Sequence, residues 1–337
     1  AFLLFLVGLN LNYKVIKEVG LVSLITGTGQ VVFTSVIGYF IALLLGFSSI
    51  SSFYIAVALT FSSTIIIVKL LSDKGDLDKL YGKISVGFLL VQDLIAIFIL
   101  ILISSFYSGS GITGSAILFT ILKGIILVVL LFLISDYIFP SLLNYISKSQ
   151  ELLFLFSISW ALILAVIVNS LGFSIEIGAL LAGISLSTSP YHWEISAKIR
   201  PLRDFFIILF FIFLGSQMAF GSLNSLILPA IIFSIFILIG NPLIVMALMG
   251  LLGYNKRNGF LAGLTVAQIS EFSLILVVLG VSVGHLSQSI VSLVTIVGII
   301  TIAGSTYMII YSDKLYKIFS RYLGIFEKKQ VNIDKYS

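Results

Sequence analysis

Long apolar runs, separated by short polar or Gly/Pro clusters, organise the whole chain. Divided at those clusters, the sequence gives eleven segments: 1–12, 19–45, 52–71, 82–105, 114–137, 151–170, 175–188, 203–219, 226–252, 258–282 and 288–311. Most approach or exceed the ~20 residues a helix needs to cross a bilayer. The runs are too long and too continuously apolar for the alternating strands of an outer-membrane barrel. Helical periodicity adds little, since a helix inside a membrane bundle can be apolar on every side. The pattern predicts an all-α polytopic membrane protein. The opening AFLLFLVGLN is fully apolar with no basic leader, unlike a cleavable signal. It reads as the remnant of a membrane helix, with further helices expected upstream.

The charges sort the connections into two sides. Lys14 and Lys17 follow the first segment, and Lys69, Lys74, Lys79 and Lys83 lie between the third and fourth. Lys148, then Lys198, Arg200 and Arg203, then Lys256 and Arg257 mark later connections of the same side. Lys314, Lys317, Arg321, Lys328, Lys329 and Lys335 follow the last segment. The alternate connections, GFSSISS, YSGSGIT, NSLGFS, AFGSLNS and VGHLSQS, carry neither Lys nor Arg. This positive-inside alternation predicts a multi-pass protein of the cell inner (cytoplasmic) membrane with a cytoplasmic C-terminus. Lys123 is the exception among 19 basic residues. It sits within the fifth segment, where it either snorkels outward or faces a polar seam. Residues 1–312 are thus expected to form a membrane domain, and 313–337 a cytoplasmic tail or the start of a further cytoplasmic domain.

Composition narrows the chemistry. The chain is 59% hydrophobic and 10% charged, which excludes a soluble domain of this size. Without cysteine, disulfides and thiolate metal sites are excluded. The +5 net charge follows from topology and is no sign of nucleic-acid binding. His192 and His285 fall in opposite-side connections, so they form no shared metal site. No nucleophile–base pair or metal motif points to an enzyme, and no cofactor is expected in this stretch.

A few polar residues stand where the membrane centre should be. LLVQDLIAI, 89–97, puts Gln92 and Asp93 about twelve residues into an apolar segment, near the midplane at ~1.5 Å per residue. A carboxylate out of water is costly in its charged form, and an acid at this depth is by default a pathway residue. One site that takes a proton or a cation, but not both, is the simplest exchanger. The amide oxygen of Gln92 offers a neutral cation ligand, although adjacent residues on a helix point about 100° apart. Alone, Gln92 also fits interhelical glue.

TFSSTIIIV, 60–68, clusters Ser62, Ser63 and Thr64 at mid-depth. Such hydroxyls can merely pack helices, but they also mark a candidate break, where freed backbone groups meet an ion. AQISEFSLI, 267–275, is a matching cluster with Gln268, Ser270 and Glu271. The two segments run in opposite directions, as an inverted repeat predicts. Glu271 fits either structural support or direct ion handling. ILIGNPLIV, 237–245, sets Asn241 beside Pro242, which removes an amide donor and bends the helix. Glu176 suits a helix cap, and GALLAG suits close small-residue packing.

With these pieces in order, the chain resembles the monovalent cation:proton antiporter family 2, which contains the glutathione-gated potassium efflux antiporters and related sodium/proton exchangers. The matching stretches are FLLFLVGLNL, SSTIIIVKLLSDKG, GKISVGFLLVQDL, GFSIEIGALLAGISL, RPLRDFFIILFFIFLG and AQISEF. The resemblance implies an inverted-repeat sodium/proton antiporter fold of elevator type with two crossed discontinuous helices. It implies a homodimer, a monovalent cation and H+ as transported partners, and Asp93 as the shared ion and proton site with Gln92, Ser63 and Thr64. Asn241, Gln268, Ser270 and Glu271 would support or couple it. Thirteen helices are usual in the family, so two are expected upstream. Gln92 before the Asp matches the potassium efflux branch and favours K+, with Na+ open. Electrogenic members carry Lys at the position of Asn241, so electroneutral exchange is expected. The tail is expected to lead to a cytoplasmic nucleotide-binding regulatory domain. A cation channel, a Na+-specific exchanger, an organic-anion carrier and a scaffold are the rival readings. Asp93 argues for a cation, and paired broken helices argue for a carrier.

Overall fold

The computed structural model describes residues 5, 8–9, 13–106, 114–171, 175–216 and 223–327. Most of the expected first segment, the end of the tail and the side chain of Glu176 lie outside them. In order, the helices are α1 (Tyr13–Leu44), α2 (Ser49–Ala58), α3 (Thr64–Asp73), α4 (Leu80–Phe106), α5 (Gly114–Leu133), α6 (Phe139–Ile146), α7 (Gln150–Ser170) and α8 (Ile175–Ser187). They continue with α9 (His192–Ser216), α10 (Leu223–Ile235), α11 (Asn241–Leu251), α12 (Lys256–Leu264), α13 (Glu271–Ser282), α14 (Gln288–Ile310) and α15 (Ser312–Phe319). No strand occurs among the described residues. Among the described residues, six helices are long and apolar enough to cross a membrane, including Gly20–Leu44, Leu80–Leu100 and Gln288–Ile310. The protein is an all-α, multi-pass membrane protein.

Two apolar segments are not single helices. The chain leaves helical geometry after α2 and resumes it at Thr64, and it does so again between α12 and Glu271. These interruptions fall on the Ser/Thr and Gln/Ser clusters singled out in the sequence. Two π turns were not anticipated. Ile134–Ile138 joins α5 to α6, and Phe236–Gly240 joins α10 to α11. Each lies just before a proline at the second residue of the next helix, Pro140 or Pro242. Proline cannot donate an N–H, and a widened turn absorbs the missing bond.

The chain divides into two compact units, Ala1–Val15 with Leu100–Phe213, and Ile16–Ile99 with Leu214–Ser337. The first has its own core, in which Phe139, Leu143, Leu153, Leu164 and Val168 are buried with Phe5 and Leu9. A hydroxyl of the π turn, Ser135, donates to Ser185 O at 2.7 Å. Lys123 is exposed and reaches Leu171 O at the end of α7, at 3.5 Å.

The second unit packs Ile67, Leu71, Phe88, Leu89, Met246, Met249 and Phe260 into one core. Residues after α14 join it. Leu323 is buried there, with Leu315, Tyr316 and Phe326 against it. Ion pairs fasten the same segment: Lys74 to Asp313 (3.6 Å), Arg257 to Asp313 (3.2 Å) and Lys256 to Glu327 (3.5 Å). A Cβ at Gly250 would lie 2.0 Å from Phe326 O, so the backbone after α15 rests directly on α11.

α1 shows how the environment inverts the usual amphipathic rule. Between Leu21 and Leu44 its large exposed side chains are apolar, including Leu24, Val32, Phe33, Val36 and Phe40, while Ser23, Thr26, Gln30 and Thr34 are fully buried. Spaced by three and four residues, those four form one stripe. A helix facing lipid turns its polar face inward, because hydrocarbon cannot hydrogen-bond.

Candidate functional site

An interrupted helix leaves backbone N–H and C=O groups without intrahelical partners, and buried groups of this kind must be met elsewhere. Around the first interruption side chains meet them. Asn241 Nδ2 donates to Leu59 O at 3.4 Å, and Gln30 Nε2 donates to Thr60 O at 3.3 Å. The Ser62 N–H donates to Gln92 Oε1 at 3.3 Å. The second interruption is treated alike. Val266 O accepts from Asn241 Nδ2 (3.3 Å) and from Ser62 Oγ (3.4 Å), while Ile269 N donates to Thr301 Oγ1 (3.3 Å). Ser270 then starts α13 with a capping box, its Oγ accepting from Phe272 N at 3.0 Å and its N–H donating to Ser273 Oγ.

The two interruptions therefore touch. Ser62 bonds directly to Val266 O, and Asn241 bonds to both breaks. The carboxamide of Asn241 is fully buried and also accepts from Thr34 Oγ1 at 2.8 Å. Its position at the start of α11 follows from the π turn and Pro242.

Asp93 lies in the middle of α4, 6% exposed. Thr64 Oγ1, at the first residue of α3, donates to Asp93 Oδ2 at 2.9 Å. The carboxylate thus stands at a helix N-terminus, whose unpaired N–H groups and dipole favour negative charge. Glu271 is the first residue of α13, as Thr64 is of α3. Such a site has the parts needed to hold a proton or a small cation: a carboxylate, a hydroxyl and a half-helix end.

The other expected residues are placed as follows. Gln92 is fully buried, and its amide oxygen is turned to Ser62 N while its amino group donates to Gln30 Oε1 at 2.7 Å. Ser63, 2% exposed, caps α3 by backbone conformation without a side-chain cap bond. Gln268 is turned toward α14, where Ser305 Oγ donates to its Oε1 at 2.8 Å. Among the described residues its buried Nε2 has no hydrogen-bond partner. Thr64, Asp93, Gln92 and Asn241 are thus joined around the first interruption, while Gln268 and Ser270 belong to the second. Gln30 and Thr34 were not singled out from the sequence. Their signal was the buried polar stripe of α1, at three- and four-residue spacing within an apolar run. Among the described residues there is no cluster of His, Asp and Glu that could hold a metal ion.

Comparison with known proteins agrees with this architecture. Residues 1–310 match the family model described as "Sodium/hydrogen exchanger, transmembrane". Over 98% of the chain, it is 27% identical to the Escherichia coli (strain K12) protein named "Putative cation/proton antiporter YbaL", covering 62% of that protein. It is 26% identical to K(+) efflux antiporter 4 of Arabidopsis thaliana, with 82% of this chain and 48% of that one aligned. The glutathione-regulated potassium-efflux system protein KefC of Klebsiella aerogenes is 25% identical, with 74% and 41% aligned. The chain spans about half the length of the curated relatives it matches. With the family model matching nearly its whole length over a fold of interrupted membrane helices, the chain belongs to the transmembrane sodium/hydrogen exchanger family, a family of transporters.

Proposed function

We propose that this chain is the transport domain of a monovalent cation:proton antiporter, in which a cation and a proton compete for Asp93. The observation that carries the reading is the bond from Thr64 to Asp93, which sets a buried acid at the start of a half-helix beside two touching helix interruptions. Proton and cation then exclude each other by charge, since one carboxylate binds either but not both.

K+ is the favoured cation. Gln92 before Asp93 supports it, as do relatives named as K(+) efflux antiporters. Na+ is the second reading, favoured by the description of the matching family model. Neutral Asn241, bonded to both interruptions, supports electroneutral exchange, because no cationic side chain occupies that position. The inverted-repeat, elevator-type mechanism requires the ion-handling groups and the residues that hold them to travel as one body. Asp93, Thr64, Gln92, Asn241, Gln268, Ser270 and Glu271 all fall in one compact unit, which supports it. We place the protein in the inner membrane as a homodimer with its C-terminus in the cytoplasm, where residues 313–337 lead toward a regulatory domain.

The test is exchange in sealed liposomes. The full-length protein is reconstituted with an internal pH dye under an outward proton gradient, and K+ or Na+ is added outside with and without a clamped potential. Dye responses to K+ that ignore the potential and vanish in Asp93→Asn support the reading. A response to Na+ alone moves the assignment to the sodium exchanger. No cation-coupled proton movement by folded protein overturns antiport.

A further inference from the structure

The first interruption presents Thr60 O, which can only accept, and the Ser62 N–H, which can only donate. Two glutamines lie between them. Gln30 Nε2 donates to Thr60 O (3.3 Å), Gln92 Nε2 donates to Gln30 Oε1 (2.7 Å), and Ser62 N donates to Gln92 Oε1 (3.3 Å). A carboxamide has one donating end and one accepting end, so the two backbone groups dictate both orientations. Gln30 must turn its amino group to Thr60 and so offers its oxygen to Gln92. Gln92 must then answer with its amino group, which sends its oxygen to Ser62. Reversing either amide would set oxygen against oxygen or amino group against amino group. Thr34, one turn along α1, accepts from Gln30 Nε2 at 3.1 Å and donates to Asn241, extending the chain to the second interruption. Gln30, Thr34, Gln92 and Asn241 are all fully buried.

We propose that Gln30 is a positioning residue for ion exchange, acting by holding the Gln92 amide oxygen on the Ser62 N–H and away from the ion. The inference rests on the antiport reading above. Thr64 lies two residues beyond Ser62, so the same clamp sets where α3 begins and meets Asp93. A cation at Asp93 then meets the Thr64 hydroxyl rather than the Gln92 amide. Without Gln30, the Gln92 amino group loses its acceptor and the amide is free to turn. Its oxygen then competes for the cation, and the register of Thr64 on Asp93 loosens.

Gln30→Met fills a similar volume without hydrogen bonding. In the liposome assay with the full-length protein, it is expected to change the cation KM about fivefold or more, the scale of coupling between neighbouring groups. The pH of half-maximal exchange should shift with it, while kcat stays within about twofold. Gln92→Met removes the oxygen that turns, so adding Gln30→Met to Gln92→Met should change the KM no further. KM and pH profile unchanged in Gln30→Met, beside an active wild type, overturn the inference, and so do additive effects in the double variant. A wild type that does not exchange removes the antiport reading and this inference with it. Should Gln30→Met fail to fold, Gln30→Asn is measured by the same criteria.

Discussion

The Thr64 hydroxyl donates to Asp93 Oδ2 across 2.9 Å and joins the first residue of a half-helix to the middle of an uninterrupted one. Hydrogen bonds to charged groups contribute about 1.5–3 kcal/mol, or roughly 10- to 100-fold in an equilibrium. Thr64→Val should weaken apparent cation affinity on that scale in the liposome assay, whereas Thr64→Ser should stay within about threefold of wild type. Equal affinities for Val and Thr would remove the hydroxyl from the ion site.

Asn241 bridges the two interruptions, and two substitutions separate its structural and electrical roles. Asn241→Leu takes the Nδ2 donor from Leu59 O and the acceptor from the Thr34 hydroxyl hydrogen, while Val266 O keeps Ser62 Oγ. Each buried polar group left unmet costs about 1–3 kcal/mol, so thermal unfolding in detergent should shift clearly downward. Asn241→Lys puts a charge beside both breaks. Its exchange is expected to respond to a clamped membrane potential while the wild type does not. A potential-independent Lys variant would uncouple this position from stoichiometry.

Ser270 supplies the cap of α13 with its hydroxyl. Ser270→Ala should lower stability by about 1 kcal/mol, the usual value of an N-cap hydroxyl. Hydrogen exchange at the start of α13 should rise before exchange elsewhere does. Protection unchanged at Phe272 would show that the backbone holds this end without the cap.

Asp76, in the connection between α3 and α4, is 3% exposed and pairs with Lys74 at 3.4 Å, with Lys79 and with the Tyr81 hydroxyl. Burial pushes its carboxyl up, but the hydrogen bonds from Lys79 and Tyr81 and the charges of Lys74 and Lys79 outweigh that and hold it below its ordinary value. A carboxyl lower in the folded than in the unfolded state contributes stability above its unfolded pKa, ~3.9, and loses it as pH falls through the lower folded value. Acid unfolding should therefore be steeper in the wild type than in Asp76→Asn below about pH 4. Parallel curves would show that the pair contributes nothing.

The burial of Asp93 was legible in the sequence because the acid stands in the middle of an apolar run. Both interruptions were legible because hydroxyl and amide groups cluster at mid-depth without another use for them. The task of Gln92 was not. A sequence shows that an amide has two ends, but not which neighbour takes each, and here Gln30 and Ser62 take them. Gln30 itself escaped notice because a single amide in a lipid-facing helix reads as interhelical glue. The π turn before Asn241 was equally hidden. Pro242 announces a bend, whereas the extra residue per turn that aims the Asn side chain depends on packing.

α11 has Asn241 at its first residue and Gly250 one residue before its last. At one end it pins both broken helices, and at the other it carries the backbone at Phe326. An α-helix of 11 residues is a stiff rod of about 16 Å. A displacement of the chain at Phe326 would therefore reach the two helix interruptions as a lever stroke, with little slack between them.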